Sequence, residues 1–188
     1  MYEAFDTAEV ITDPEQIINA GYTAVGVYAR EDRCPFAMSQ GLIAAGVKLW
    51  TIWEKGNPTS VDYFTQQQAR EDTDLFLAWA KMTGQPQGSP VFACVDFDAD
   101  WAAVKDYIYL FHDAVKAEGF LFGVYGSGGV CQAFKEAGYA HYTWLAQSTG
   151  WQNYQEWAPH ADIRQGPSGT ALGYNVDFDV VVNPAVLW

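Results

Sequence analysis

Basic residues and cysteine are both scarce in this chain of 188 residues. Its 10 Lys and Arg are outnumbered by 23 Asp and Glu, which gives a formal net charge of −13 at pH 7. Such an acidic chain repels the phosphates of nucleic acid, so we exclude nucleic acid as a partner. The three cysteines, Cys34, Cys94 and Cys131, are an odd number without paired spacing. They predict neither a disulfide framework nor a structural zinc site.

Long apolar runs and metal-ligand spacings are missing as well. The three histidines, His112, His141 and His160, lie far apart in the sequence. No stretch approaches the roughly 20 apolar residues that cross a bilayer, so we expect no membrane segment. The amino terminus lacks a basic segment followed by an apolar one, so we expect no export signal here, and the location stays unknown. We also expect a monomer that uses neither a metal nor a cofactor.

Aromatic residues, by contrast, are abundant. Hydrophobic residues make up 49% of the chain and charged residues 18%, a composition typical of a globular protein. The length predicts a single domain over residues 1–188. Aromatic residues reach 16% and include 8 Trp. Surplus Trp and Tyr suit a cleft for sugars or other flat ligands, although a tightly packed barrel would also absorb them.

The segment 89–98 organises the sequence. Its apolar residues predict a strand that is buried on both faces, as in a parallel sheet covered by helices. The segment ends on Asp96 and Asp98, which project to the same side if the strand keeps its pleat. Paired acids at the carboxyl end of a strand indicate a catalytic site at that edge of the sheet. The alternative is that one acid caps the next helix while the other is solvated.

Strand and helix patterns alternate along the whole chain. Strands are predicted at 3–6, 23–28, 47–53, 89–98, 121–125, 142–147, 163–165 and 176–182, and helices at 12–21, 39–45, 61–82, 101–118 and 126–137. This alternation predicts a parallel sheet, and eight strands favour a compact (β/α)₈ TIM-type barrel over an open doubly wound sheet. The chain is shorter than the roughly 250 residues of typical barrels, so we expect reduced helices in the C-terminal third. There, only a short helix near 152–157 and a Gly-rich loop at 166–173 remain.

In such a barrel, four acids would surround one mouth. Asp6, Glu54, Asp96 and Asp98 follow the first, third and fourth strands, and Asp177 joins them if its side chain points inward. Clustered carboxylates repel one another, so at least one of them should have a raised pKa and stay protonated near neutrality. Paired carboxylates beside aromatic residues suit the hydrolysis of a glycosidic bond. The aromatic residues in question are Trp53, Phe97, Tyr125 and Trp144, each of which would also fit a core.

Other chemistries fit the sequence less well. A divalent cation among Asp96, Asp98 and Asp177 would have oxygen ligands, but the calcium-loop spacing is absent from the sequence. The segment from Tyr125 to Gly129 nearly matches the Gly-x-Ser-x-Gly nucleophile elbow, except that Tyr125 occupies the first Gly position. Ser127 in this segment therefore fits a helix cap better than a nucleophile.

Several motifs in a fixed order resemble a known family. They are Phe5-Asp6-Thr7, Trp53-Glu54, Val95-Asp96-Phe97-Asp98, Gly123-Val-Tyr-Gly-Ser127, Trp144-Leu-Ala-Gln147 and Val176-Asp177. Together they resemble the glycoside-hydrolase-like domain family of unknown function, which occurs in bacterial cell-wall proteins and phage lysins. That family is related to the family 25 glycoside hydrolases, the lysozymes. The resemblance covers nearly the whole chain, and the Asp-Phe-Asp and Tyr-Gly-Ser motifs are its most specific parts.

The resemblance implies a (β/α)₈-type barrel that cleaves the glycan strands of peptidoglycan at its C-terminal mouth. By similarity to the lysozymes, Asp6 and Asp96 would position the substrate or stabilise positive charge, and Asp177 matches their late aspartate. Asp98 stands where those enzymes carry the glutamate that acts as general acid. Replacing Glu by Asp shortens the arm by about 1.5 Å, a distance that matters for activity. Glu54 is therefore the alternative proton donor.

Three hypotheses follow. The first is a cell-wall glycosidase, the catalytic domain of a phage or bacterial lysin, in which Asp98 or Glu54 donates the proton and Asp96 and Asp6 are the partner carboxylates. Its sugar subsites would involve Trp53, Tyr125, Ser127, Trp144, Gln147 and Asp177. The second is a catalytically inactive barrel that binds cell-wall glycan. The third is a metal-dependent hydrolase.

Overall fold

The computed structural model describes residues 3–188 and shows a closed barrel. Eight strands follow one another around the barrel in chain order, and β1 pairs with β8 to close it. The strands are β1 Ala4–Thr7, β2 Ala24–Tyr28, β3 Lys48–Trp53, β4 Pro90–Cys94, β5 Leu121–Gly126, β6 Tyr142–Leu145, β7 Ile163–Ala171 and β8 Tyr174–Val181. The barrel fold predicted from the sequence is confirmed, and the open sheet is not formed.

Helices cover the outside of the barrel. They are α1 Pro14–Asn19, α2 Phe36–Ala44, α3 Gln66–Thr83, α4 Trp101–Ala117, α5 Gly128–Glu136 and α6 Tyr154–Trp157, with 3₁₀ turns at Val61–Tyr63 and Pro184–Val186. The prediction of a continuous helix over 61–82 is wrong at its start, because Thr65 interrupts it. The Thr65 side chain accepts a hydrogen bond from the Gln68 amide and so caps α3, whose other end is capped by Gly84 in the left-handed conformation. As expected, α6 has shrunk to 4 residues.

The direction of β8 corrects the prediction of a parallel sheet. This strand runs antiparallel to both β7 and β1, whereas the other neighbouring strands are parallel. The segment 166–173, predicted to be a loop, instead extends β7 and turns directly into β8 through Leu172 and Gly173, whose φ angles are 55° and 86°. Two positive φ angles make the turn that joins the strands of a β-hairpin. Parallel strands need a crossover of a dozen or more residues, so this short connection forces β8 to reverse.

The core has two layers, one inside the barrel and one between the barrel and its helices. The inner layer includes Trp50, Phe92 and Trp144, all buried, and the outer layer includes many residues of α3 and α4. Gly26 makes room for this interior, since a Cβ atom added there would lie 2.6 Å from the Trp50 indole and 2.7 Å from the Cβ of Asp6. Alternate strand residues thus fill the two layers, as the pleat requires.

The carboxyl terminus covers the amino-terminal end of the barrel. The backbone of Trp188 exchanges two hydrogen bonds of 2.9 Å with Leu49, and its indole nitrogen donates to Thr51 Oγ1 at 3.0 Å. Val186 is fully buried against the inner layer. The acidic residues lie at the opposite end, where the parallel strands finish. Within residues 3–188 no helix is both long and apolar enough to cross a membrane.

Candidate active site

A cavity of about 380 Å³ opens at the carboxyl ends of the strands. Seven of the eight strands, or the residues directly after them, contribute to it. Its lining consists of Tyr28, Glu54, Cys94, Asp96, Tyr125, Trp144, Gln147, Ser148, Trp151, Gln165 and Asp177. Three carboxylates and several aromatic rings therefore share one polar space, in a position where barrel enzymes carry their active sites.

Glu54 is the first residue after β3, and its side chain is mostly buried. Burial, together with the negative charges of Asp96 and Asp177, raises the pKa of Glu54 to about 7, although Arg30 opposes the shift. A carboxyl group in this environment remains partly protonated at neutral pH, which suits a proton donor.

Asp96 lies two residues beyond β4, where the loop that follows β3 holds it in place. The Asp96 amide donates to the carbonyl oxygen of Pro58 at 3.1 Å, and the side chain is half-buried. Burial raises the pKa of Asp96, whereas a hydrogen bond with Tyr125 lowers it. The Tyr125 hydroxyl also lies 2.8 Å from Gln165 Oε1, and with one proton it can donate to only one of these two acceptors at a time.

Asp6 lies deeper, in the middle of β1 and opposite Asp177 in the register of β1 and β8. It is only 2% exposed. Its carboxylate accepts hydrogen bonds from the Tyr28 hydroxyl at 3.2 Å and from Gln165 Nε2 at 3.5 Å. Burial is the main reason that its pKa rises to about 7, and the nearby charge of Asp177 adds to the effect.

Gln165 links these acids, although no sequence motif singles it out. Its Nε2 atom also reaches Asp177 Oδ2 at 3.4 Å, and its Oε1 atom lies 3.4 Å from the Gln147 amide. The side chain therefore connects Asp6 and Asp177 on one side with Tyr125 and Gln147 on the other. Its inward position follows from strand alternation on β7, which a longer predicted strand would have revealed.

Asp98 does not line the cavity. Strand β4 ends at Cys94, so the pleat does not continue to residue 98, and the Asp98 side chain is exposed. Its carboxylate accepts a hydrogen bond from the Gln152 amide at 2.9 Å. The structure therefore brings Asp96 to the cavity but leaves Asp98 outside. In the described part of the chain, residues 3–188, no group of three His, Cys, Asp or Glu side chains could hold a metal ion.

Two of the residues predicted to bind substrate also lie elsewhere. Trp53 is 2% exposed and packs outside the barrel, with its ring centroid 6.4 Å from that of Phe76 and 6.3 Å from that of Phe111. Ser127 is buried and caps α5, because its hydroxyl accepts a hydrogen bond from the Val130 amide at 3.2 Å. The helix-cap interpretation of Ser127 is thus confirmed.

The remaining residues predicted for substrate binding do border the cavity. Tyr125, Trp144, Gln147 and Asp177 all line it. The rings of Tyr125 and Trp144 meet edge to face at 4.6 Å, which fixes their orientation. Five lining residues were missed, namely Tyr28, Cys94, Ser148, Trp151 and Gln165. Ser148 and Trp151 lie in the connection after β6, where the sequence carried no periodic signal.

Comparisons with known sequences agree with this architecture. The family described as Rv2525c-like, glycoside hydrolase-like domain matches residues 15–182. The uncharacterized protein YbfG of Bacillus subtilis (strain 168) is 30% identical over 174 residues, which cover 78% of this chain and 23% of YbfG. The chain therefore spans about a quarter of the length of that curated relative.

Two bacterial proteins of known structure have the same barrel fold. The Tat-secreted protein Rv2525c of Mycobacterium tuberculosis, in complex with HEPES, has a TM-score of 0.78 at 18% identity, with 96% of this chain and 95% of that one covered. The modular autolysin LytC of Streptococcus pneumoniae, in complex with a synthetic peptidoglycan ligand, has a TM-score of 0.62 at 14% identity, with 95% of this chain and 46% of LytC covered. At these identities the likeness shows the fold alone.

Proposed function

Because this chain belongs to the Rv2525c-like, glycoside hydrolase-like domain family, we propose that it hydrolyses a glycosidic bond in bacterial cell-wall glycan. The observation that carries the proposal is the convergence of Glu54, Asp96 and Asp177 on one aromatic-walled cavity. Glycosidases use two carboxyl groups on either side of the scissile bond, one as acid and the other as nucleophile or base. The complex of LytC with a peptidoglycan ligand supports the choice of glycan.

Glu54 is the proton donor in this proposal. Its pKa of about 7 keeps it partly protonated at the pH at which the leaving oxygen must receive a proton. Asp98, the alternative donor, is exposed and engaged by the Gln152 amide outside the cavity. The proposal therefore uses Glu54 at the end of β3 for the role that the lysozyme resemblance assigned to residue 98.

Asp96 is the partner carboxylate, and Asp177 adds negative charge beside it. Both line the cavity together with Glu54. As the glycosidic bond breaks, positive charge develops on the sugar ring, and neighbouring carboxylates stabilise it. Trp151 provides an apolar wall for the face of a sugar ring, and Gln147 provides an amide for the sugar hydroxyl groups. The buried Trp144 holds Tyr125 in place. In residues 3–188 the lining includes neither Lys nor Arg, which favours a neutral ligand over an anionic one.

The role in the cell follows as a further part of the proposal. A domain with this activity would serve in a phage or bacterial lysin and would act outside the cytoplasm. The Tat-secreted protein Rv2525c, which shares the barrel, supports an extracytoplasmic location.

The decisive test is the release of new reducing ends from purified peptidoglycan. Glu54→Gln and Asp96→Asn should each lower kcat by roughly 100-fold or more, because each removes a group that acts on the reacting atoms. Asp98→Asn is the matched control and should keep most of the activity. If Asp98→Asn is inactive while Glu54→Gln is active, residue 98 is the donor and our assignment is wrong.

A glycan-binding module is the second candidate. The specific observation in its favour is that Asp98, at the position of the lysozyme general acid, lies outside the cavity. Co-sedimentation with insoluble peptidoglycan separates the two functions. Binding that depends on Trp151, without reducing ends from several wall types between about pH 4 and pH 8, would support the module and reject the enzyme.

A further inference from the structure

Two carboxyl groups lie in the barrel interior below the cavity. Asp179 on β8 is 0% exposed, and Asp6 on β1 is 2% exposed. In the register of the two strands, Asp6 is opposite Asp177 and Ala4 is opposite Asp179, so both aspartates of β8 face inward beside Asp6. Asp179 is not a lining residue of the cavity in the described chain. Asp179 can therefore affect the cavity only through the residues that it contacts.

The hydrogen bonds around the two groups are unequal. Asp6 accepts from Tyr28 and from Gln165, whereas Asp179 Oδ1 accepts from the Trp144 indole nitrogen at 2.9 Å. Within residues 3–188, Asp179 Oδ2 is buried without a donor in range. The side chains of Asp6 and Asp179 are inward-facing neighbours on the paired strands β1 and β8, close enough to influence each other's protonation.

A hydrogen bond between two carboxyl groups requires that one of them carries a proton. Two neighbouring carboxylates that are buried to this degree repel each other strongly, so one of them should keep a proton. Asp6 has two other donors to stabilise its charge, while Asp179 has one and a second oxygen that lacks any. The geometry therefore favours ionised Asp6 and protonated Asp179.

We propose that Asp179 is a positioning residue, a permanently protonated acid that donates its hydrogen bond to Asp6 and keeps Asp6 in place as a carboxylate. This inference rests on the proposed function for its catalytic consequence. Ionised Asp6 accepts from Gln165 Nε2, which turns Gln165 Oε1 toward Tyr125 and thereby orients the hydroxyl that approaches Asp96. Burial and the charge of Asp6 raise the pKa of Asp179 well above its usual range, in agreement with this assignment.

The other titratable groups near Asp6 and Asp179 do not take the proton from Asp179. They are Tyr28 on β2, Glu54 after β3, Cys94 on β4, Asp96 beyond β4, Tyr125 on β5 and Asp177 on β8. Burial raises the pKa of the Tyr28 and Tyr125 hydroxyls and of the Cys94 thiol, so these groups stay neutral near neutrality. None of the neighbours is a cation that could stabilise a second charge, as far as the described residues extend.

Two substitutions of Asp179 distinguish the effect of its hydrogen-bond donor from the effect of its side-chain shape. In Asp179→Asn the amide can donate to Asp6 as a protonated acid does, so the protein should fold and retain kcat close to that of the unmodified protein. Asp179→Leu keeps the same branched arrangement of side-chain heavy atoms, although it is larger, but cannot donate, and kcat on peptidoglycan should fall roughly 10–100-fold, as for other supporting residues behind a site. Loss of activity in Asp179→Asn with an intact fold would overturn the proposal.

Infrared spectroscopy tests the proton without any reference to activity. At about pH 8.5, above the pKa of about 7 of Asp6 and Glu54, the C=O band of a buried carboxylic acid should remain. It should vanish in Asp179→Asn and persist in Asp6→Asn. A band that vanishes only in Asp6→Asn would assign the proton to Asp6 and overturn the proposal. Since this readout needs no substrate, it stays informative if the protein does not cleave glycan.

Discussion

Neighbouring residues in a strand face opposite sides of the barrel wall. Because of this alternation, Glu54 lies at the site while the adjacent Trp53 belongs to the core. Glu54 reaches the acidic cavity, whereas Trp53 packs against Phe76 and Phe111 on the helix side. The sequence placed both residues at the site because they are adjacent. Strand alternation would have told them apart only if the end of β3 had been known to within one residue.

Substitutions of Trp53 and Trp151 should therefore differ in their effect on glycan binding. Trp53→Phe should lower the free energy of unfolding by about 1–3 kcal/mol, because it leaves a space in the outer core, and should leave KM unchanged. Trp151→Ala should raise KM for glycan, unlike Trp53→Phe, and because its half-buried ring packs against the inner layer it should also lower the free energy of unfolding by about 1–3 kcal/mol. Urea denaturation and steady-state kinetics measure the two quantities. A raised KM in Trp53→Phe would show that the ring reaches the substrate after all.

The acids were easier to predict than their partners. Asp6, Glu54 and Asp96 stand at strand ends in the sequence, where an acid after an apolar run is conspicuous. Gln165 and Asp179 lie inside strands that the sequence pattern only partly revealed, and Asp179 alternates with residues that also look inward-facing. Their importance comes from long-range register between β1, β7 and β8, which depends on contacts more than 150 residues apart in the chain.

At the scale of the elements, the eight strands and most helices could be predicted because apolar runs and Gly or Pro boundaries mark them locally. The direction of β8 could not be predicted in this way. Its reversal depends on the turn at Leu172 and Gly173, and the Gly-rich segment before the turn is as typical of a loop as of a twisted hairpin. The hairpin brings Asp177 and Asp179 beside Asp6, so the site depends on this turn.

The turn can be tested through Gly173. Its φ angle is 86°, a conformation that other residues adopt with strain, and a Cβ atom there would meet nothing within 4 Å. Gly173→Ala should therefore lower the free energy of unfolding by about 1–2 kcal/mol through backbone strain alone. Gly150→Ala is the matched control, since its added Cβ is equally unhindered and its φ angle is not positive. Equal stability of the two variants, measured by urea denaturation, would reject strain at this turn.

At the scale of the whole molecule, the acidic cavity sets how stability depends on pH. Glu54 has a pKa of about 7 in the fold against 4.5 for a free side chain, and burial raises the pKa of the pair formed by Asp6 and Asp179 in the same direction. The folded protein therefore binds more protons than the unfolded chain between these values, so the free energy of unfolding must fall as the pH rises through this interval. The fold thus accepts a loss of stability at neutral pH in exchange for a protonated acid in the cavity.

Glu54→Gln should remove its part of this pH dependence. The shift from 4.5 to about 7 corresponds to roughly 3 kcal/mol, so the variant should gain up to that amount over the parent protein at about pH 8 and little at about pH 4. Denaturation curves at several pH values give the difference directly. Glu136→Gln on the exposed face of α5 serves as the control. Its free energy of unfolding should change with pH in the same way as that of the parent protein. If that of Glu54→Gln also changes in this way, the Glu54 carboxyl titrates normally in the fold, and it then lacks the protonated state that a general acid needs at neutral pH.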